Sequence, residues 1–409
     1  MKKLLSVLLA VSFLLYQWAG GAAAEESSLE VGAPAAVLME NATGTILYEK
    51  GAEEERSPAS VTKIMTLLLI FEALESGQLH LEDEVMTSAH AKSMGGSQVF
   101  LEEGEVQSAE TLIKCIVVAS GNDAAVAMAE HLAGTEGEFV ARMNQKAELL
   151  GMEHTHFVDC CGLTEDPAHY TCAKDIAVMT RELITRFPQI HEYATIWMEN
   201  ITHVTRQGSS EFGLTNTNKL LRSFEGCNGL KTGSTSRAGY CLSATAERNG
   251  IELIAVVLAA PDSKTRFANA ASLLNYGFGK CRLYTDENEE PAGMVPVKGG
   301  LKEEVPCRYE KPFQYLDTNG QEVSGIEKEV VLYEKLPAPV SENDPAGEAV
   351  YRLNGKEIGR VQILTAEPCE KAGFFHYMKK AWNRYRNLCY DKKNSSMETE
   401  TVWEETENG

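Results

Sequence analysis

Ser57-Pro58-Ala59-Ser60-Val61-Thr62-Lys63-Ile64-Met65-Thr66 reads as the start of a helix. Ser57 is a capping residue, Pro58 suits the first helical position, and an apolar run from Ile64 to Leu74 continues to Gly77. Ser60 and Lys63 stand three residues apart, which puts them one turn apart on a single face. A serine hydroxyl is a weak nucleophile until a base takes its proton, and a lysine amine does so when its pKa is depressed. The first helical turn also offers free backbone N–H groups and a partial positive charge to a developing anion. The tetrad alone equally describes a solvated lysine beside a first-turn serine.

Outward from this stretch the pattern is that of a layered α/β domain. Ala35–Met39 and Thr45–Tyr48, joined by Asn41-Ala42-Thr43-Gly44, form an expected hairpin upstream. Helical periodicity dominates from Ala109 to Leu150 and from Cys172 to Thr185. From Gly229 the period changes to strands, Leu230–Thr235, Tyr240–Glu247 and Ile251–Ala260, with Asn249-Gly250 as a turn and a helix over Lys264–Phe278. Strands at both ends with helices between give one domain, residues 25–285. Acids, Pro and Gly from Glu287 to Pro296 mark a boundary. Beyond it, Val305–Tyr309, Glu327–Tyr333 and a hairpin about Asn354-Gly355 form a small all-β domain, residues 290–367.

Two further motifs carry side chains suited to chemistry. Ser120-Gly121-Asn122 lies between two helical runs, where a glycine between two polar residues suits a loop that points both into a cleft. Ser120 can relay a proton and Asn122 can bind an amide; a capped helix junction has the same composition. Lys231-Thr232-Gly233 lies on a strand, where lysine and hydroxyl can hold a carboxylate and glycine admits a substrate backbone. An ordinary edge strand is its other reading.

Taken in order, Ser60-x-x-Lys63, Ser120-x-Asn122 and Lys231-Thr232-Gly233 resemble the signature of the serine penicillin-recognising enzymes. Pro58 to Thr66, Ser120 to Ala125 and Gly229 to Gly233 are similar to low-molecular-mass penicillin-binding proteins of the sporulation-type branch, the serine-type D-alanyl-D-alanine carboxypeptidases of bacterial cell-wall metabolism. The resemblance runs from about Ala35 to Asn394. It implies a serine β-lactamase/penicillin-binding-protein-like transpeptidase fold followed by a small all-β domain. It also implies that Ser60 attacks the penultimate D-Ala carbonyl of a peptidoglycan stem peptide, with Lys63 as general base and Ser120, helped by Lys231, as proton relay. Asn122 would bind the peptide amide, and Lys231, Thr232 and Gly233 would line the substrate site. The backbone N–H groups of Ser60 and Ser234 would form the oxyanion hole. Thr232 would hold the terminal carboxylate with Arg266, which is alternatively a surface charge on its helix. β-Lactams, as mimics of D-Ala-D-Ala, are implied inhibitors, and no metal or cofactor is called for.

The chain departs from the family at Asp159-Cys160-Cys161-Gly162-Leu163, where relatives carry Asn-Pro-x-Gly-Leu. His169-Tyr170 fits the family loop and reads as structural. A class A β-lactamase would need a deacylating Glu-x-x-x-Asn; Glu165 is the one candidate, and His169 stands where the asparagine belongs. A non-catalytic wall-binding protein is disfavoured by the intact Ser60, Lys63, Ser120 and Lys231, whereas a transpeptidase or endopeptidase would share the acyl-enzyme chemistry.

Composition and the two ends place the chain. It has 409 residues, 44% hydrophobic, with 59 acidic against 38 basic residues and a net charge of −21, which argues against nucleic-acid binding. Lys2-Lys3, the apolar run Leu4 to Leu15 and Ala22-Ala23-Ala24 read as an export signal, residues 1–24. An uncleaved anchor would need a longer span. Residues 371–393 carry seven cations and one acid, with Phe374, Met378, Trp382, Tyr385 and Leu388 on one helical face. This describes a helix lying on an anionic membrane, or one packed on its own domain. Residues 394–409 form an acidic tail expected to be disordered. Ten cysteines without a C-x-x-C pair leave the redox state open and give no support for zinc. The expected location is the outer face of the bacterial cytoplasmic membrane, held peripherally through 371–393.

Overall fold

The computed structural model describes residues 29–206 and 208–386, in two units that divide between Gly279 and Lys280. The expected leader, the end of the basic helix with Leu388, and the acidic tail lie outside the described residues.

The first unit is built on a five-stranded antiparallel sheet. Its strands run, edge to edge, Ile46–Lys50, Ala35–Glu40, Ile251–Ala260, Gly239–Arg248 and Cys227–Thr235. Ala35–Glu40 pairs with Ile251–Ala260 in the register Ala36 to Val257, so the start of the domain closes onto its end. These two strands read as unbroken apolar runs rather than alternating ones because both faces are covered. Ala35, Val37, Met39, Ile254, Val256 and Leu258 belong to the main core with the helices Lys63–Glu75, Ala109–Val117, Asn122–Ala133, Glu136–Leu149 and Ala173–Arg186. Leu38 and Leu253 point the other way, toward Gly277 of the helix Ser263–Lys280.

Two local features differ from expectation. The α-helix starts at Lys63 rather than at Ser57, and a separate 3-10 turn, Ala59–Thr62, precedes it. Ala59 has φ +48°, so the chain turns sharply before the helix and Ser57 is not its cap. The hairpin Met198–Thr205 and Gly208–Thr215 was not expected. Only Ile201, His203 and Leu214 of it are buried, so the apolar alternation that marks a strand is nearly absent.

The second unit is all-β apart from its last residues. A six-stranded sheet, with Pro345–Leu353 and Lys356–Thr365 joined at Asn354-Gly355, accompanies the pair Arg282–Asp286 and Phe313–Asp317. Both turn residues have positive φ, as a two-residue hairpin of this kind requires. Tyr351 is fully buried, stacks on Phe313 at 3.7 Å, and donates its hydroxyl to Asn288 Oδ1 at 2.9 Å. Residues 374–386 are helical. Phe375 and Trp382 on that helix are 87% and 66% exposed, so its aromatic residues are not packed into a core.

Candidate active site

The Ser60 turn is gripped from two sides by backbone. Gly162 has φ +75°, and a Cβ there would lie 1.8 Å from the Ala59 carbonyl oxygen. On the other side the edge strand Cys227–Thr235 crosses the turn; a Cβ on Gly233 would lie 2.9 Å from Pro58 O and from Ser60 N. The close approach at Gly233 is therefore to the chain's own Ser60 turn. Ser60 itself is half-buried.

Lys63 is fully buried, and its Nζ has three oxygens around it. It donates to Asn122 Oδ1 at 2.5 Å and to the Cys161 carbonyl at 2.8 Å, and lies 3.0 Å from Ser60 Oγ. The two carbonyl-type oxygens can only accept. A neutral amine has two N–H groups for them and one lone pair, which then faces the Ser60 hydroxyl. Burial pushes the Lys63 pKa down, partly opposed by Cys161, Cys160, Asp159 and Asp123, and so favours this neutral form.

A second buried lysine stands behind the other motif. Lys231 Nζ donates to Ser120 Oγ at 2.8 Å and to Thr232 O at 3.0 Å. Its pKa is driven well below the usual lysine value, first by burial and then by the neighbouring Lys63 and Arg266 side chains. Ser120 has φ +60°, which turns its side chain off the end of the helix Ala109–Val117. Asn122, at the start of the next helix, donates Nδ2 to Gly95 O at 2.7 Å and its backbone N–H to Ser97 O at 2.8 Å. Next to it the buried Asp123 accepts from Val99 N and Leu101 N, both at 3.2 Å or less. The segment Gly95–Leu101 is thereby tied to the base of the Ser120-Gly121-Asn122 loop.

The remaining expected residues fall as follows. Thr232 is buried and donates to Thr217 Oγ1 at 2.7 Å; Ser234, two residues on, is exposed. Arg266 is not a surface charge. It is 6% exposed and donates to the carbonyls of Gly233 and Cys241, each at 3.2 Å, so it braces the strand that carries Lys231. Glu165 is exposed and accepts from Ser236 Oγ at 3.0 Å.

Several contacts of this cluster had no marker in the sequence. The main-chain oxygens of Cys161 and Gly95 are invisible to any side-chain motif. Thr217 sits in a stretch of plain polar residues. His169 was read as structural, and its place is close to the chemistry: Val158 N donates to Nδ1 at 3.0 Å, so Nε2 carries the proton and donates to Thr62 Oγ1 at 2.9 Å. Burial lowers its pKa and keeps the ring neutral. Cys160 and Cys161 are free thiols, both buried beneath the Ser60 turn.

Comparison with known proteins covers both units. Residues 22–262 match the family model described as D-alanyl-D-alanine carboxypeptidase, and residues 281–371 match that of the penicillin-binding protein 5 C-terminal domain. D-alanyl-D-alanine carboxypeptidase DacF of Bacillus subtilis is 37% identical over 94% of this chain and 100% of its own length. DacC of Escherichia coli is 33% identical over 91% of this chain and 94% of its own. Among solved structures, penicillin-binding protein 5 of Haemophilus influenzae aligns with a TM-score of 0.62 at 29% identity, over 84% of this chain and 98% of that one. A serine-to-alanine mutant of the Streptomyces K15 DD-transpeptidase aligns at 0.57 and 31% identity, over 61% of this chain and 98% of that one.

Proposed function

This chain belongs to the D-alanyl-D-alanine carboxypeptidase family, and from that premise we propose that it removes the terminal D-alanine of peptidoglycan stem pentapeptides through an acyl-enzyme on Ser60. The Lys63 amine takes the Ser60 proton as Oγ attacks the penultimate D-Ala carbonyl. The amide C–N bond breaks, and Ser120 with Lys231 passes a proton to the leaving amine. Water, activated by the same base, then hydrolyses the ester and restores Ser60. The backbone N–H groups of Ser60 and Ser234 hold the oxyanion, each donor contributing ~3 kcal/mol. Asn122 binds the peptide amide, and Thr232 receives the terminal carboxylate on a strand held in place by Arg266. β-Lactams acylate the same serine.

The observation that carries this reading is Lys63 Nζ, buried between two carbonyl oxygens and 3.0 Å from Ser60 Oγ. Incubation with diacetyl-Lys-D-Ala-D-Ala should release free D-Ala, and penicillin should add one adduct at Ser60. An enzyme that takes the adduct but releases no D-Ala would instead be an acyl transferase to an amine, like the DD-transpeptidase it resembles. An enzyme that does neither refutes the mechanism.

The leader 1–24 exports the chain, and residues 371–393 rest on the outer face of the cytoplasmic membrane. The exposed Phe374, Phe375, Met378, Trp382 and Tyr385, with Lys379, Lys380, Arg384 and Arg386 on the same helix, support this. Among the described residues no helix is long and apolar enough to cross a membrane. Deleting Gly373–Gly409 should move the protein from membrane to soluble fractions and leave peptide hydrolysis unchanged. Undiminished membrane binding would discard the anchor.

A further inference from the structure

The hairpin Met198–Thr215 and the segment around Phe100 enclose a cavity of about 410 Å³ whose walls include Phe100, Glu102, His203, Ser210, Glu211 and Phe212. His203 is 7% exposed, and its Nδ1 lies 2.8 Å from Glu105 Oε1. Glu105 also accepts from Gln107 Nε2 at 2.7 Å and Glu102 N at 2.9 Å. A carboxylate surrounded by donors fixes the proton of His203 on Nδ1. Nε2, on the opposite edge of the ring, is buried and has no hydrogen-bond partner among the described residues. Phe100 is 63% exposed with φ +63°, a backbone state that bulky residues rarely adopt, and its ring meets Phe212 edge-on at 5.8 Å.

The chemistry of this cavity is one-sided. It offers the carboxylates of Glu211 and Glu102 and two phenyl faces, with the His203 ring in its wall; Lys92 pairs with Glu102, and Thr202 Oγ1 donates to Glu211 at 2.7 Å. Acceptors and π faces together select an aliphatic stem that ends in an ammonium. Both walls lead into the active site. Phe100 lies three residues beyond Ser97, whose carbonyl accepts from Asn122, so at most ~10 Å separate them. The hairpin strand that carries Phe212 leads to Thr217, the partner of Thr232. An extended peptide advances ~3.3 Å per residue, so a long side chain one or two residues upstream of the scissile bond spans that distance.

We infer that this cavity binds the alkylammonium side chain of a diamino-acid residue upstream of the D-Ala-D-Ala bond, and so sets the preference among stem peptides. The inference rests on the carboxypeptidase reading. Its test compares kcat/KM for Nα-acetyl-Lys-D-Ala-D-Ala, with a free ε-ammonium, against diacetyl-Lys-D-Ala-D-Ala. The wild type should favour the free amine roughly tenfold. Glu211→Gln should cut that preference below about threefold while leaving the diacetyl substrate and penicillin acylation unchanged. His203→Gln should do the same, with penicillin acylation as its check on folding. Equal kcat/KM for the two peptides in the wild type, or a full preference retained by both variants, overturns the inference. Cadaverine that raises Tm while the two peptides are cleaved equally would also overturn it, by assigning the cavity to a soluble amine. Should neither peptide release D-Ala, the carboxypeptidase reading fails. The preference is then read from how strongly each peptide slows penicillin acylation.

Discussion

Lys63→Met lowers the rate at which penicillin acylates Ser60 by at least about 10³-fold, with the fold retained. General-base catalysis contributes about 10²–10⁴-fold, and removing the base of a serine nucleophile costs toward the upper end or beyond. Methionine matches the length of the side chain, so the packing survives while Asn122 Oδ1 and the Cys161 carbonyl lose their donor. Stopped-flow acylation and circular dichroism on the same samples check both halves of the claim, and a variant acylated within tenfold of wild type would exclude Lys63 as the base. The pH dependence follows from the same burial. Because the folded-state pKa of Lys63 lies below its ordinary 10.5, the amine is free at lower pH than in a solvated lysine, and acylation gains its base there. Stability moves in the same direction. Between the lowered pKa and 10.5 the unfolded chain binds more protons than the folded one, so stability rises with pH across that window. Lys63→Met flattens that rise, leaving the part due to Lys231, which is shifted the same way.

Gly162→Ala has the largest expected effect on stability. An alanine at φ +75° costs about 1–2 kcal/mol, and its methyl would collide with the Ala59 carbonyl and with Thr62 Oγ1, adding about 1–3 kcal/mol of overpacking. At about 2–4 °C per kcal/mol for a domain of this size, Tm falls by roughly 10 °C. Relief of the clash must push the Ala59–Thr62 turn, and a shift of 1 Å at a nucleophile costs about 10²-fold in rate. Gly151→Ala is the internal control. Its φ is +71° and nothing lies within 4 Å of the added methyl, so it carries the backbone penalty alone. Equal Tm losses for the two variants would show that the Gly162 contact is not tight.

The three motifs in order pointed to the fold and to the side chains of the cleft through the family they resemble, while local spacing accounted for the single elements. Ser60 to Lys63 needed only one turn, and the apolar runs of Ala35–Glu40 and Ile251–Ala260 already implied strands covered on both faces. What stayed hidden was set by long-range packing. That Lys63 and Lys231 are stripped of water follows from helices that converge on them, and no residue beside either one reports it. Arg266 could be read from the sequence as a carboxylate-binding residue or as a charge on a helix surface, and its burial shows only once its helix is placed against the Lys231 strand. The start of the Lys63 helix was misread because Ser57-Pro58 is a good local cap, and the Gly162 loop, about a hundred residues away, holds Ala59 in the conformation that overrides it. The hairpin that carries His203 was missed for the opposite reason, since a strand with so few buried residues has little pattern to read.

The grip on Lys63 by the main-chain oxygen of Cys161 has an evolutionary corollary. A backbone carbonyl is common to every amino acid, so substitution at position 161 cannot delete that contact by changing the side chain. The side chains of Asp159-Cys160-Cys161-Gly162-Leu163 can therefore differ from the family pattern while Lys63 stays anchored, provided the glycine that shapes the loop is kept. The hold on Lys63 is thereby written in the path of the chain rather than in the side chains along it.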